Sequence, residues 1–196
     1  LNRYLQGDLL AGKKQPVVLG IDPSLTGFAI TALGADGSYE SAMYKSHDRG
    51  VERLMDIAMW LRAKIDVLDL EGFPISDVAI EDSVVMSHSA VALGELHGIV
   101  RVSLFHSPVG KGKYPLRVPP TMVKKYATDK GNAKKNEVML GVYKKWGVEF
   151  SDDNLADSYV LARVAAGYFK TAYEALVLEK LADPKFRDTQ TLGSNS

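Results

Sequence analysis

The chain contains no cysteine. That excludes a disulfide scaffold, a thiolate zinc centre and a cysteine nucleophile, and it suits a reducing compartment. Only four histidines occur, at 47, 88, 97 and 106, with no HxxxH or HExxH spacing, so metal chemistry here would have to be carboxylate chemistry. No uncharged apolar run approaches the ~18–20 residues of a membrane span. The opening LNRYLQGDLLAGKKQP lacks the apolar core and cleavage pattern of a signal peptide, so the expected location is the cytoplasm, away from any membrane. Net charge is missing too: 24 basic and 24 acidic residues cancel, which argues against a uniformly basic nucleic-acid binder. The positive charge is instead concentrated. Between Lys111 and Lys145, ten Lys or Arg residues stand against two acidic ones, Asp129 and Glu137.

What is present fits one globular domain: 196 residues, 46% hydrophobic and 24% charged, are enough to bury a proper core. The expected division is a tail or arm over 1–15, a domain over 16–182 and a loose tail over 183–196. The organising stretch is VVLGIDPSLTGFAIT, Val17 to Thr31. Val17 to Leu19 reads as a buried strand with Asp22 at its end, a turn follows at Pro23, Ser24 and Gly27, and Phe28 to Ala32 returns antiparallel. Ser38 to Tyr44 alternates as a third strand. Arg49 to Leu70 places Leu54, Ile57, Ala58, Leu61, Ile65 and Leu68 at helical spacing, and Gly72 and Pro74 stop it. DVAIED, Asp77 to Asp82, is a short strand ending in Glu81 and Asp82. Ser87 or Ser89 then caps a helix to about Phe105, with Val91, Leu93, Leu96, Val100 and Leu104 facing inward. Gly94 and Gly98 leave one face of that helix bare enough for close packing. PVGKGKYP is a loop, Leu116 to Val118 a strand, and Pro119 and Pro120 open a helix at Thr121. Lys134 to Trp146 is helical, and a last helix runs from Asp152 or Asp153 to about Leu181.

Carboxylates therefore end two strands, at Asp22 and Glu81, and recur at the start of the last helix as Asp153 and Asp157. Residues four apart share a helix face, so Asp153 and Asp157 can point together, with Asn154 beside them and Asp152 rotated away. Converging hard oxygen ligands suit Mg²⁺ or Mn²⁺. Two such ions about 4 Å apart would activate a water and stabilise the leaving oxygen of a phosphodiester. Taken singly, each group has an ordinary explanation. Asp22 could bond its own turn, Glu81 could be solvated at a strand end, and Asp152 to Asn154 are common helix-capping residues. The lysines at 124, 125, 130, 134 and 135 could form a solubilising face, and His88 and His97 could be surface or satisfied helix residues. Asp157, inside the apolar LADSYVLA, is harder to dismiss.

The motifs in order resemble the RuvC family of Holliday-junction resolvases, within the RNase H-like superfamily. GIDPSLTGFAI resembles the family's first strand, which places the metal-binding aspartate at Asp22. AIEDSVVMSHSAVALGELHGIV resembles the segment of the catalytic glutamate, here Glu81. VPPTMVKKYATDKGNAKKNEV is similar to the basic stretch whose two lysines lie near the scissile phosphate, here Lys124 and Lys135. DDNLADSYVLA resembles the closing helix motif and its final aspartate, Asp157. The likeness runs from about Val17 to Ala166. Two departures stand out. Asn154 occupies the position where the family has aspartate or histidine, which favours Asp153 as fourth ligand with Asn154 as the substitute. The aromatic wedge after the glutamate falls on Val84 or Val85, which cannot stack on a base.

The resemblance implies an α/β, RNase H-like fold, a central mixed sheet with its first three strands antiparallel and helices on both faces. It implies a homodimeric endonuclease that resolves four-way junctions by paired nicks, leaving 5′-phosphates. Asp22, Glu81, Asp153 and Asp157 would hold two Mg²⁺ ions, with Mn²⁺ able to substitute, and Lys124 and Lys135 would face the phosphate. Lys111, Lys113, Lys125, Lys130 and Lys134 would add backbone contacts to the DNA. The Gly94/Gly98 face is the expected dimer contact. The divergence points to a bacteriophage or viral relative acting in a host cytoplasm. The alternatives are a broader nuclease for flaps, Y-forks and replication forks, or a DNA-binding module without catalysis.

Overall fold

The computed structural model describes residues 15–83, 90–107 and 114–186. A five-stranded mixed sheet runs in the order β3-β2-β1-β4-β5. Strands β1 (Val17–Asp22), β2 (Phe28–Gly34) and β3 (Tyr39–Tyr44) are antiparallel neighbours, whereas β4 (Ile75–Glu81) and β5 (Leu116–Val118) extend the sheet parallel to β1. This is the α/β arrangement expected from the sequence. Parallel central strands are covered on both faces, and β1 and β2 are buried throughout.

Side-chain alternation divides β1 between two cores. Val17, Leu19 and Ile21 enter one cluster, completed by Leu54, Ile57, Leu61, Ile65 and Leu68 of α1 (Gly50–Leu70) and by Leu96, Val100 and Leu104 of α2 (Ala90–Phe105). Val18 faces the other cluster, built by α3 (Pro120–Thr128), α4 (Lys135–Trp146), α5 (Asp153–Ala166) and α6 (Ala172–Ala182). Fully burying an aliphatic side chain stabilises by about 1.5–3 kcal/mol, so the α1 seam alone secures that face. Val91, expected to point inward, is exposed, and the buried position on α2 is taken by His97. Helix α2 packs against α1 and turns its Leu96–Val100–Leu104 stripe into the shared core, which carries Val91 round to solvent. The Gly94 and Gly98 positions meet nothing within 4 Å.

Helix α5 lies directly on β1, β2 and β4. Gly20 makes that approach possible: a Cβ there would fall 2.0 Å from the Ser158 carbonyl oxygen and 2.2 Å from the Ala162 nitrogen. The same contact carries a buried hydroxyl chain. Thr31 Oγ1 is 2.8 Å from Ser158 Oγ and 2.7 Å from Ser41 Oγ, and Ser158 donates to the Leu155 carbonyl at 2.9 Å. Shared hydroxyls of this kind fix the helix's position along the sheet, because a slip would leave buried polar groups unpaired.

The last helix does not run unbroken to Leu181. Gly167, at φ 69°, adopts the left-handed conformation and its N–H bonds to the Val164 carbonyl, ending α5. Thr171 then opens α6 with a capping box: its hydroxyl accepts the Glu174 N–H at 3.2 Å, and Glu174 accepts the Thr171 N–H at 3.0 Å. Lys145 on α4 ties α3 to α6, donating to the Tyr126 carbonyl at 2.7 Å, Asp129 at 2.9 Å and Glu174 at 3.0 Å. Among the described residues no helix is long and apolar enough to cross a membrane.

Candidate active site

Asp22 and Glu81 are the terminal residues of adjacent parallel strands. Ile21 is paired with Ile80 and Gly20 with Ala79, so the next residues on each strand, the two acids, stand side by side at the same end of the sheet. By alternation both belong to the face covered by α5. Helix α5 starts above that end, bringing Asp153 in its first turn and Asp157 one turn later. Open α/β sheets bind ligands at the carboxyl ends of their strands for this reason: side chains from several separate segments converge there.

The electrostatics record the convergence. Burial holds the Asp22 carboxyl well above the ordinary range, and repulsion from Glu81, Asp157 and Asp153 pushes it further, against the pull of Lys135. Burial first, then Asp157, raises Glu81 to about 7, opposed by Lys124 and Lys135. Burial and Asp153 raise Asp157 to about 6, opposed by the same two lysines. Lys135 is ion-paired with Asp153, whose hydrogen bond raises the ammonium above its usual value. Six residues predicted from sequence, Asp22, Glu81, Asp153, Asp157, Lys124 and Lys135, thus act on one another in a single cluster.

Asn154 is placed otherwise. Its amide lies against the β1–β2 turn, where a Cβ on Gly27 would be 2.6 Å from Nδ2. Asp152 caps α5, accepting the Asn154 N–H at 2.9 Å, and lies 3.8 Å from Lys45. Of the remaining lysines, Lys125 leans over the Tyr173 ring, Lys130 pairs with Glu137 at 3.9 Å, and Lys134 precedes α4 in the open. Lys111, Lys113, His88, Val84, Val85 and the helix-capping Ser87 and Ser89 lie outside the described residues. Gly20, the Thr31–Ser158 pair and Lys145 support the structure around the site without having been singled out from sequence, whereas Gly27 was read as part of the turn after Asp22. The Gly20 signal was visible only as a glycine within an apolar strand.

The donor set is all oxygen and strongly desolvated, which fits a hard divalent cation. Asp22 is 6% exposed, and no hydrogen-bond donor among the described residues contributes to its charge state. A bound cation would compensate such a group. The acids face one another without closing into a finished cage: among the described residues no group of three or more acid or imidazole side chains is arranged to hold a metal ion.

No protein-family model matches the chain, and no curated protein sequence does. Solved structures do. RuvC from T. thermophilus in complex with a Holliday junction substrate superposes with a TM-score of 0.58 at 25% identity, over 76% of this chain and 91% of that one. A second Thermus thermophilus RuvC structure gives 0.54 at 25% identity, over 74% of this chain and 90% of that one. In fold the chain is RuvC-like.

Proposed function

We propose that the chain is a metal-dependent endonuclease that resolves Holliday junctions, using Asp22, Glu81, Asp153 and Asp157 as metal ligands with Lys124 and Lys135 at the scissile phosphate. The observation that carries this reading is the mutual electrostatic coupling of four acids and two lysines at one end of a RuvC-like sheet. Buried acids that repel one another are unfavourable in a purely structural role, and such clusters are typical of functional sites.

The acids bind and orient. Asp22 and Glu81 are set by strand register, and Asp153 and Asp157 by helix α5 seated on Gly20. Mg²⁺ or Mn²⁺, when bound, supplies a water of lowered pKa and stabilises the leaving 3′-oxygen. Lys135, on the first turn of α4 with its side chain 74% exposed, can reach a phosphate oxygen outside the cluster. Lys124 approaches from α3 and offsets charge growing on the phosphoryl group. The products of this reading are a 5′-phosphate and a 3′-hydroxyl. Lys111, Lys113, Lys125, Lys130 and Lys134 add salt-sensitive contacts to the DNA backbone. Two opposed nicks in a nearly two-fold junction call for a homodimer, and the open Gly94/Gly98 face is the proposed contact. The unit doing this is the domain over 16–182.

Valine at 84 and 85, where the family carries an aromatic wedge, favours a second reading as a broader nuclease for flaps and forks. One experiment separates the two. A synthetic immobile junction, a flap, a Y-fork and linear duplex are incubated with Mg²⁺, with EDTA, and with the Asp22→Asn variant. Paired nicks on the junction alone, lost with EDTA and in the variant, establish the resolvase. Comparable cutting of flaps and forks gives the broader nuclease, and no metal-dependent cutting overturns both.

A further inference from the structure

The break at Gly167 turns the chain out of α5 into YFKTAY, residues 168–173. Three aromatic rings in these six residues face solvent: Tyr168 is 52% exposed, Phe169 62% and Tyr173 49%. Exposed aromatic clusters on a folded surface mark places that something else covers.

This turn is held firmly. The Tyr126 hydroxyl donates to the Tyr168 carbonyl, and Glu174 accepts the Lys170 N–H at 2.5 Å and the Thr171 N–H at 3.0 Å. Glu174 is itself fixed by Lys145. The rings are therefore presented by a pinned backbone, which lowers the ordering entropy lost on binding.

Charge indicates the occupant. Lys125 lies over the Tyr173 ring, 5.7 Å from its centroid, and Lys170 sits between the rings in sequence. Glu174, the carboxylate immediately after this segment, is 2% exposed and already neutralised by Lys145. Flat faces beside ammonium groups that form no ion pair among the described residues match an unpaired nucleotide, whose base stacks while its phosphate meets the lysines. Lys124 and Lys125 are neighbours on α3: the first acts on Glu81 and Asp157, the second on Tyr173. The aromatic turn follows the far end of α5 from Asp153, with Gly167 about 15 Å beyond Asp157 along the helix axis, and α3 links the two regions through Lys124 and Lys125.

We infer that the α5–α6 turn, with Lys125 and Lys170, is a stacking site for unpaired nucleotides of the branched DNA, which rests on the nuclease reading above. It provides base contacts that Val84 and Val85 cannot.

The test uses the full chain in EDTA and reads fluorescence anisotropy with a labelled oligothymidine, a Y-fork with unpaired arms and a blunt duplex. Tyr168→Ala/Phe169→Ala is expected to weaken oligothymidine and fork binding about tenfold or more, with duplex binding changed less than twofold. Phe169→Trp alone is expected to keep wild-type affinity, and an unchanged melting temperature of the double variant shows that it folds. Absence of oligothymidine binding by the wild type, unchanged affinity in the double variant, or equal loss on duplex overturns the proposal. So does a change confined to sedimentation behaviour, which makes the rings a contact between copies. Junction cutting with Mg²⁺ is measured in parallel. Cutting without ring-dependent oligothymidine binding removes the stacking site alone, whereas ring-dependent binding without any cutting removes the nuclease reading alone.

Discussion

The Lys135 ammonium is ion-paired with the Asp153 carboxylate, joining the first turn of α4 to the first turn of α5 at the rim of the acidic cluster. A cation competing for Asp153 must displace this ammonium. The pair is largely exposed on the lysine side, so its contribution is at most about 1 kcal/mol. Lys135→Met is therefore expected to tighten Mn²⁺ binding by at most about fivefold, measured by titration calorimetry. Single-turnover cutting at saturating metal should fall by about a hundredfold, because the charge facing the phosphate is gone. Weaker metal binding in the variant would show that Lys135 organises Asp153 rather than competing for it.

Gly20 and Gly94 are expected to respond to alanine with opposite signs. A methyl group on Gly20 would strike the α5 backbone at Ser158 and Ala162, where neither strand nor helix can yield cheaply. Overpacking of this kind typically destabilises by about 1–3 kcal/mol, and a backbone collision belongs at or beyond the upper end. Gly94 meets nothing within 4 Å, so alanine there gains up to ~1 kcal/mol of helix propensity. Urea unfolding of the two variants checks both signs. A Gly20→Ala variant as stable as wild type would mean that α5 does not seat on β1 in this way.

Sequence periodicity carried information wherever one face of an element decides its structure. The α1 stripe from Leu54 to Leu68 and the acids closing β1 and β4 are of this kind, since each follows from local spacing. Contacts between distant segments were not legible. Nothing near Gly20 announces that Ser158 and Ala162 will lie on it, and Thr31 meets Ser158 across 127 residues. The split of the last helix was written locally, in Gly167 followed by Thr171 and Glu174, but the apolar pattern continues through it and masks the stop. Val91 failed for the complementary reason. An apolar residue on an amphipathic helix is inward only if the stripe it joins is the one that packs.

The raised acids predict a definite pH dependence for the metal-free protein. Glu81, at about 7 in the fold against an ordinary 4.5, keeps its proton over a range where the unfolded chain has lost it, and Asp157, at about 6, does the same. The folded state then binds more protons, so stability falls as pH rises. The contribution is fully present below about pH 4 and is lost on passing through pH 6 to 7. At about 1.4 kcal/mol per pKa unit, the Glu81 part is on the order of 3 kcal/mol. Chemical denaturation in EDTA at pH 5 and pH 8 should show the decline. Glu81→Gln should flatten it, and Mg²⁺ should restore more stability at pH 8 than at pH 5. A flat profile in the wild type would mean the acids are solvated.

Asp153 and Asn154 compete for one role, and their positions predict which substitution matters more. Asp153 raises both Asp22 and Asp157 and holds Lys135, whereas the Asn154 amide rests on the Gly27 turn. Asp153→Asn removes a charge from the cluster, so cutting should fall about a hundredfold or more. The Asp157 carboxyl should titrate lower, because one of the repulsions raising it is gone. Carboxyl-carbon NMR titration of the metal-free variant reads that shift independently of activity. Asn154→Ala should lower cutting less than tenfold, through a looser β1–β2 turn, and leave the Asp157 titration in place. Asn154→Asp adds a negative charge beside the turn at Gly27 and should give no gain. The reverse order of effects, with Asn154→Ala inactive, Asn154→Asp enhanced and Asp153→Asn nearly normal, would transfer the ligand role to position 154. Asp153 would then be left with the Lys135 ion pair as its function.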